Sequence, residues 1–599
     1  MGQKYPEQWN LDVFYEGGSA SPAFAAELAG MERDIDALVR ELEETSAGST
    51  SHVSTAKLSA WTATVQSVIL RLRQSESFVS CLVAQQVKDS AALGLNERVK
   101  TTAAKFNSAL TAYDEQLRLV PEELWNEWLK EEDTAPVAFT LRERREAAKE
   151  KLPPSLEALA GELAVDGYHG WGDFYNTVVS RAKFEAQEPD GSTKTLSAGQ
   201  MHNRLSDGER AVREAAFAEW EREWGEQAEL CAEALNRIAG FRLKLYEKRG
   251  WQSVLKEPLA MNRMSQATLD AMWAAVNEGK AGLVKYLDRK AKLLGIDKLD
   301  WHDVEAPIGS AARTVPYDEG ADFIVEQFRA FSPELAEFSE AAFRDGWIEA
   351  DDRPGKRPGG FCTAFPISEQ TRIFMTYSGT ASNISTLAHE LGHAYHQHVM
   401  NDLPPLAQEY AMNVAETAST FAELIVSDSA MEAAADPDEK LALLEDKLQR
   451  STAFFMNIHA RFLFETRFYE QRRKGMVSHE ELSRLMEEAQ NEAFCGAVGK
   501  LHPHFWASKL HFYLTDVPFY NFPYTFGFLF SCGIYAVAKK EGPSFAERYV
   551  ALLRDTGRMT VEELAQKHLG VRLDEPDFWR GAVSVTTADV EAFLELTNG

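Results

Sequence analysis

The 599-residue chain is 45% hydrophobic and 26% charged, a globular balance that excludes a disordered or fibrous protein and leaves room for two or more lobes. A formal net charge of -29 repels phosphate backbones, so nucleic acid is not an expected partner. The five scattered cysteines form no C-x-x-C pair and fit free thiols in a reducing compartment.

The opening, "MGQKYPEQWNLDVFYEGG", carries no apolar signal-like run, and a cytoplasmic location is expected. Residues 43–59 are rich in Ser and Thr and predict a loop. From 60 to about 129 the apolar residues Val65, Ile69, Leu72, Phe78 and Leu82 recur at helical spacing, which predicts antiparallel helices. Pro153-Pro154 should end one helix and begin another, and residues 205–300 predict further long helices. Proline and glycine gather at 354–360, after which Thr371 to Tyr377 reads as a single β-strand whose edge can pair with an extended peptide. Helical patterning then resumes. "FGFLFSCGIYAVA", 526–538, is too short to span a bilayer and predicts a buried helix, so no membrane partner is expected. The fold class predicted is mainly α with one small β element.

"TLAHELGHAYHQH", 386–398, holds the H-E-x-x-H pattern, of which chance supplies roughly 0.03 copies in a chain with 14 histidines. Ile384, Leu387, Ala388, Leu391 and Tyr395 form a helical apolar stripe, with Ser382 or Asn383 as the expected cap. His389 and His393 are one turn apart, so both imidazoles reach one metal ion. Glu390 lies about 100° around the helix, beside the metal as a base and not as a ligand. Gly is absent from position 396 and His from 399, which rejects the metzincin spacing. The third ligand is then sought on a following helix, predicted to begin near Leu406, whose Glu409, Glu416 and Glu423 share a face; helix crossing favours the middle one without excluding the others.

"HELGHAYH" followed by "ETASTFAE" resembles the thimet oligopeptidase family, in particular its oligoendopeptidase F branch. "WNLDVFY", "GYHGWGDFYNTVV", "FPISEQTRIFMTYSGT" and "PFYNFPYTFGFLFS" extend the likeness along the chain. The resemblance implies two helical lobes enclosing a deep substrate channel with a zinc site on its floor. It implies an N-terminal helical domain over 1–200 and a metallopeptidase domain over 201–599. It makes Glu416 the third ligand beside His389 and His393, for one Zn2+ per chain with a fourth position open to water, and Glu390 the general base of an endopeptidase acting on oligopeptides. It also suggests His511, Tyr520 and Tyr524 as oxyanion donors, although Phe528 stands after Gly527 where the thimet branch has a tyrosine. His396, His398, His459, His479, His502 and His504 receive no ligand role. The rival readings are a metallocarboxypeptidase, which needs a cation for the C-terminal carboxylate, and a non-catalytic peptide binder.

Overall fold

The computed structural model describes residues 4–47, 53–188, 191–308 and 314–598. These residues are mainly helical, and they fall into two compact units that the chain visits in turn. The first unit comprises Met1–Lys151, Arg313–Ser429 and Val537–Gly570; the second comprises Leu152–Ala312, Ala430–Ala536 and Val571–Gly599. No helix among the described residues is long and apolar enough to cross a membrane.

In the first unit, the helices Pro22–Ala47, Thr55–Gln85 and Ser90–Leu119 bury Leu28, Ile35, Trp61, Val65, Ile69, Leu72, Phe78 and Phe106 in one core. The loop predicted over 43–59 is shorter than its composition suggests. Helix runs through Ala47 on one side, and on the other Ser54 caps Thr55–Gln85 by accepting from the Lys57 N–H; residues 48–52 lie outside the described set. Serine there serves the helix start, which composition alone reads as loop.

A three-stranded sheet lies in the same unit. β3 (Ile348–Glu349), β4 (Phe361–Phe365) and β5 (Gln370–Phe374) are ordered β3-β5-β4, with β3 parallel and β4 antiparallel to β5. This corrects the single-strand reading. β5 is the predicted strand, but both of its edges are taken, so it cannot offer one to a peptide. The missed partner, "FCTAF", sits between Gly360 and Pro366, the kind of boundaries that mark a strand. A second correction lies in the other unit, where β1 (Phe184–Gln187) and β2 (Thr193–Leu196) form a hairpin with Gly191 at φ 82 in its turn.

The second unit is built on long helices, among them Arg210–Arg249, Gln266–Leu293, Ile458–Arg472, Phe522–Glu541 and Pro576–Thr597. The predicted break at Pro153-Pro154 is present, and 526–538 lies inside Phe522–Glu541 as a largely buried segment. All five cysteines are free.

Candidate active site

The H-E-x-x-H motif lies on the helix Ala381–His398, which buries Leu387, Ala388, Leu391, Ala394 and Tyr395. Its cap is Thr380, whose hydroxyl accepts from the Asn383 N–H at 3.1 Å, and not the expected Ser382 or Asn383. The Asn383 side chain instead accepts from Ser378 N–H at 2.7 Å, tying the approaching chain to the first turn.

The following helix is Met412–Ala433, and it begins later than Leu406 because Pro405–Gln408 forms a separate 3-10 turn. Glu409 therefore falls in the connection, 3.7 Å from Arg73. Gly392 decides how the two helices meet. A Cβ there would stand 2.5 Å from the Ala418 carbonyl oxygen and 2.6 Å from the Ser419 Cα, so only glycine permits this backbone approach.

The crossing brings Glu416 against both histidines. Its Oε2 lies 3.2 Å from His389 Nε2 and 3.5 Å from His393 Nε2. Ligand atoms about 2.0–2.1 Å from one tetrahedral ion would be about 3.3 Å apart, so this donor set fits zinc in spacing and in chemistry. The remaining edges of the rings are also held. Glu423 Oε2 accepts from His389 Nδ1 at 3.1 Å, which leaves the Nε2 lone pair facing Glu416, and the His393 ring bonds the backbone at Ala415. Ser419 Oγ donates to Glu416 Oε2 at 2.8 Å.

Glu390 is 8% exposed, and its Oε1 faces Gly360 at the entry to β4. Burial pushes its carboxyl up to about 7, the range of a base that works near neutrality; His389 opposes the shift and Glu416 adds to it. Burial lowers His393 to about 4, keeping it neutral as a ligand must be. For Glu416 burial acts upward, but the close approach of the His389 and His393 rings and the hydrogen bond from Ser419 outweigh it and hold the carboxyl at about 2.

His511, Tyr520 and Tyr524 form a cluster in the second unit. The His511 ring is 5.3 Å from Tyr520 and 6.1 Å from Tyr524, and the two tyrosines are 5.3 Å apart. Their segment is pinned by buried polar side chains. Glu465 accepts from Phe519 N–H at 3.2 Å and from Asn521 Nδ2 at 2.5 Å, holding Phe519 at φ 54. Arg242 bonds the hydroxyls of Tyr168 and Tyr469, and Tyr168 bonds the Thr515 carbonyl at 2.8 Å. Phe528 is buried against Phe454 at 4.5 Å, where a hydroxyl would have to find a partner.

The histidines given no ligand role have other work. His396 is buried, bonds Thr556 Oγ1 at 2.9 Å and stacks on Tyr410; His398 packs on Phe338; His502 and His504 flank Glu221. Among the described residues one other trio of possible metal donors comes together, Asp300, His302 and Asp303. There Arg210 and Arg213 already occupy the Asp303 carboxylate at 3.0–3.2 Å, making it an ion-pair centre.

A family model described as peptidase family M3 matches residues 204–583, and one described as Oligopeptidase F matches 117–184. The chain belongs to peptidase family M3. Within it this M3 peptidase falls in the oligoendopeptidase F branch. It is 24% identical over 534 residues to an oligoendopeptidase F homolog of Lactococcus lactis subsp. lactis (strain IL1403), spanning 87% of this chain and 86% of the relative. Its fold is shared by a structure described as a peptidase from Chlamydophila abortus, with TM-score 0.84, 18% identity and 98% of each chain covered. The oligoendopeptidase-F structure from Enterococcus faecium matches with TM-score 0.69 and 19% identity, over 95% of this chain and 97% of that one.

Sequence reasoning left two contributors to this site without a role. Spacing sets Glu423 beside Glu409 and Glu416 as a possible ligand and the resemblance selects Glu416; what the helix crossing adds is that Glu423 meets His389 Nδ1 while Glu416 faces Nε2. Gly392 carried a usable signal: a glycine inside an otherwise strong helical pattern costs about 1 kcal/mol and so points to close packing.

Proposed function

We propose that this M3 peptidase hydrolyses internal bonds of short oligopeptides, with a single zinc ion held by His389, His393 and Glu416 and with Glu390 as general base. The observation that carries the reading is the convergence of two imidazole Nε2 atoms and one carboxylate oxygen beside a buried glutamate. The names of the Lactococcus and Enterococcus relatives support the substrate class. Bound there, the metal supplies Lewis acidity toward the scissile carbonyl and the attacking water.

Glu390 takes the proton of that water and delivers it to the leaving nitrogen. Glu423 holds the His389 ring in one tautomer, and Ser419 orients the Glu416 carboxylate. His511, Tyr520 and Tyr524 are proposed as donors to the oxyanion, a role worth about 10²–10³ in rate per donor. The domain organisation proposed is an N-terminal helical region over 1–200 and a peptidase region over 201–599, with the cytoplasm as the place of action; free cysteines suit that compartment.

Glu390→Gln tests the reading. On a quenched peptide with both termini blocked, kcat should fall by about 10²–10⁴ while zinc content measured by atomic absorption stays the same. Unchanged hydrolysis removes Glu390 from the mechanism, and a wild-type enzyme that cuts only after the C-terminus is unblocked replaces the endopeptidase with a carboxypeptidase.

A further inference from the structure

The second unit contains a cavity of about 120 Å³ whose walls include Phe217, Trp220, Trp301 and Phe505. Its volume approaches the roughly 150 Å³ that accommodates a benzene ring, so a compact apolar side chain fits. The polar lining is incomplete. His302 is 4% exposed; its Nε2 lies 3.6 Å from Asp303 Oδ1, and neither ring nitrogen has a hydrogen-bond partner among the described residues, a rare condition for a buried imidazole.

Two cations stand at one wall. The Lys509 ammonium lies 5.1 Å from the centre of the Phe505 ring, and the Arg461 guanidinium lies 5.4 Å from the same ring. Arg461 donates to Asn457 Oδ1 at 2.9 Å, and Asn457 itself lines the cavity. Among the described residues neither cation makes an ion pair with a carboxylate within 4.0 Å, and Glu305 is the acidic group whose charge reaches both, in a chain that has 92 acidic residues to 63 basic ones. Burial and then the neighbouring Arg461 lower Lys509 to about 8, with the charge of Glu305 only partly opposing them, so the pair gains from a further anion. Glu305, the one carboxylate lining the cavity, is exposed.

We propose that this cavity binds an α-carboxylate bearing a compact apolar side chain, as a free amino acid or a peptide C-terminal residue presents it. Lys509, backed by Arg461, meets the carboxylate, the aromatic wall takes the side chain, and His302 pairs with the polar backbone of the ligand. The proposal is independent of the zinc reading, since no residue of the metal trio takes part.

Isothermal titration of the full-length protein with N-acetyl-L-leucine and with N-acetyl-L-leucinamide tests it. The acid should bind at least about 10-fold more tightly than the amide, the difference one charge-assisted contact makes. Lys509→Met should bring the acid down to the level of the amide, and Lys509→Arg should restore it. Ser206→Trp, which leaves both cations in place and fills the lining, should abolish binding of both ligands. L-leucine then identifies the source: tighter binding than the acetylated acid assigns a free amino acid, whose ammonium can reach Glu305, and weaker binding assigns a peptide end. Equal binding of acid and amide, or an unchanged affinity of folded Lys509→Met for the acid, overturns the proposal whether or not Glu390→Gln is active.

Discussion

Two trios of side chains in this molecule each bring three donor atoms within 4.8 Å of one another, and only one of them has the form of a metal site. In His389, His393 and Glu416, a carboxylate oxygen faces two Nε2 atoms while Glu423 and the backbone at Ala415 occupy other ring nitrogens. In Asp300, His302 and Asp303, two arginines saturate the fully buried Asp303, and the imidazole, 3.6 Å from the same carboxylate, makes no hydrogen bond. Nearness of donor types is therefore a weak criterion. What separates the trios is the direction of the lone pairs and the absence of a resident cation.

The largest expected effect comes from breaking the first trio. Glu416→Ala should leave near zero zinc per chain after dialysis, against about one for the wild type; full retention would pass the ligand role to Glu423. Next is Arg213→Met, which leaves Asp303 with a weakened counter-charge and should cost about 3–5 kcal/mol of stability while zinc content is untouched. The pH dependence follows from the same ion pairs. Burial pushes the Asp303 carboxyl up, but the hydrogen bonds from Arg210 and Arg213 outweigh it and hold the group below its usual value. Its contribution is thus complete above the unfolded value of about 3.9 and is lost as pH falls through the folded one. The gap in Tm between wild type and Arg213→Met should accordingly be flat from pH 8 to 5 and close below about pH 4. The smallest effect belongs to Glu423→Gln, with zinc affinity by competitive chelation lower by about 10–100-fold. An undiminished affinity would reduce Glu423 to packing.

How much of this was legible in the residues depended on the range of the forces involved. His389 and His393 are readable because helix geometry over one turn sets their separation, and the long helices are readable from apolar spacing. Glu416 was not separable from Glu409 and Glu423 by spacing alone. The resemblance of "ETASTFAE" to the oligoendopeptidase F branch made that choice, and the start of the helix at Met412 with the close crossing at Gly392 supplies its geometric reason. The short strand β4 escaped because five residues carry too little pattern, and its pairing with β5 removed the free edge expected there. The Tyr520 segment is less legible still. Its conformation is imposed by Glu465 and Arg242, residues far away in sequence that a local reading cannot connect to it.

Gly392 has a thermodynamic consequence as well as a geometric one. The helices Ala381–His398 and Met412–Ala433 touch there through backbone, and the proposed ligands are divided between them, two histidines on one and the glutamate on the other. An ion gripping both acts as a cross-link that exists only while the chain is folded. Part of the binding free energy of such an ion would then be folding free energy, and the melting temperature of the protein would titrate with free metal.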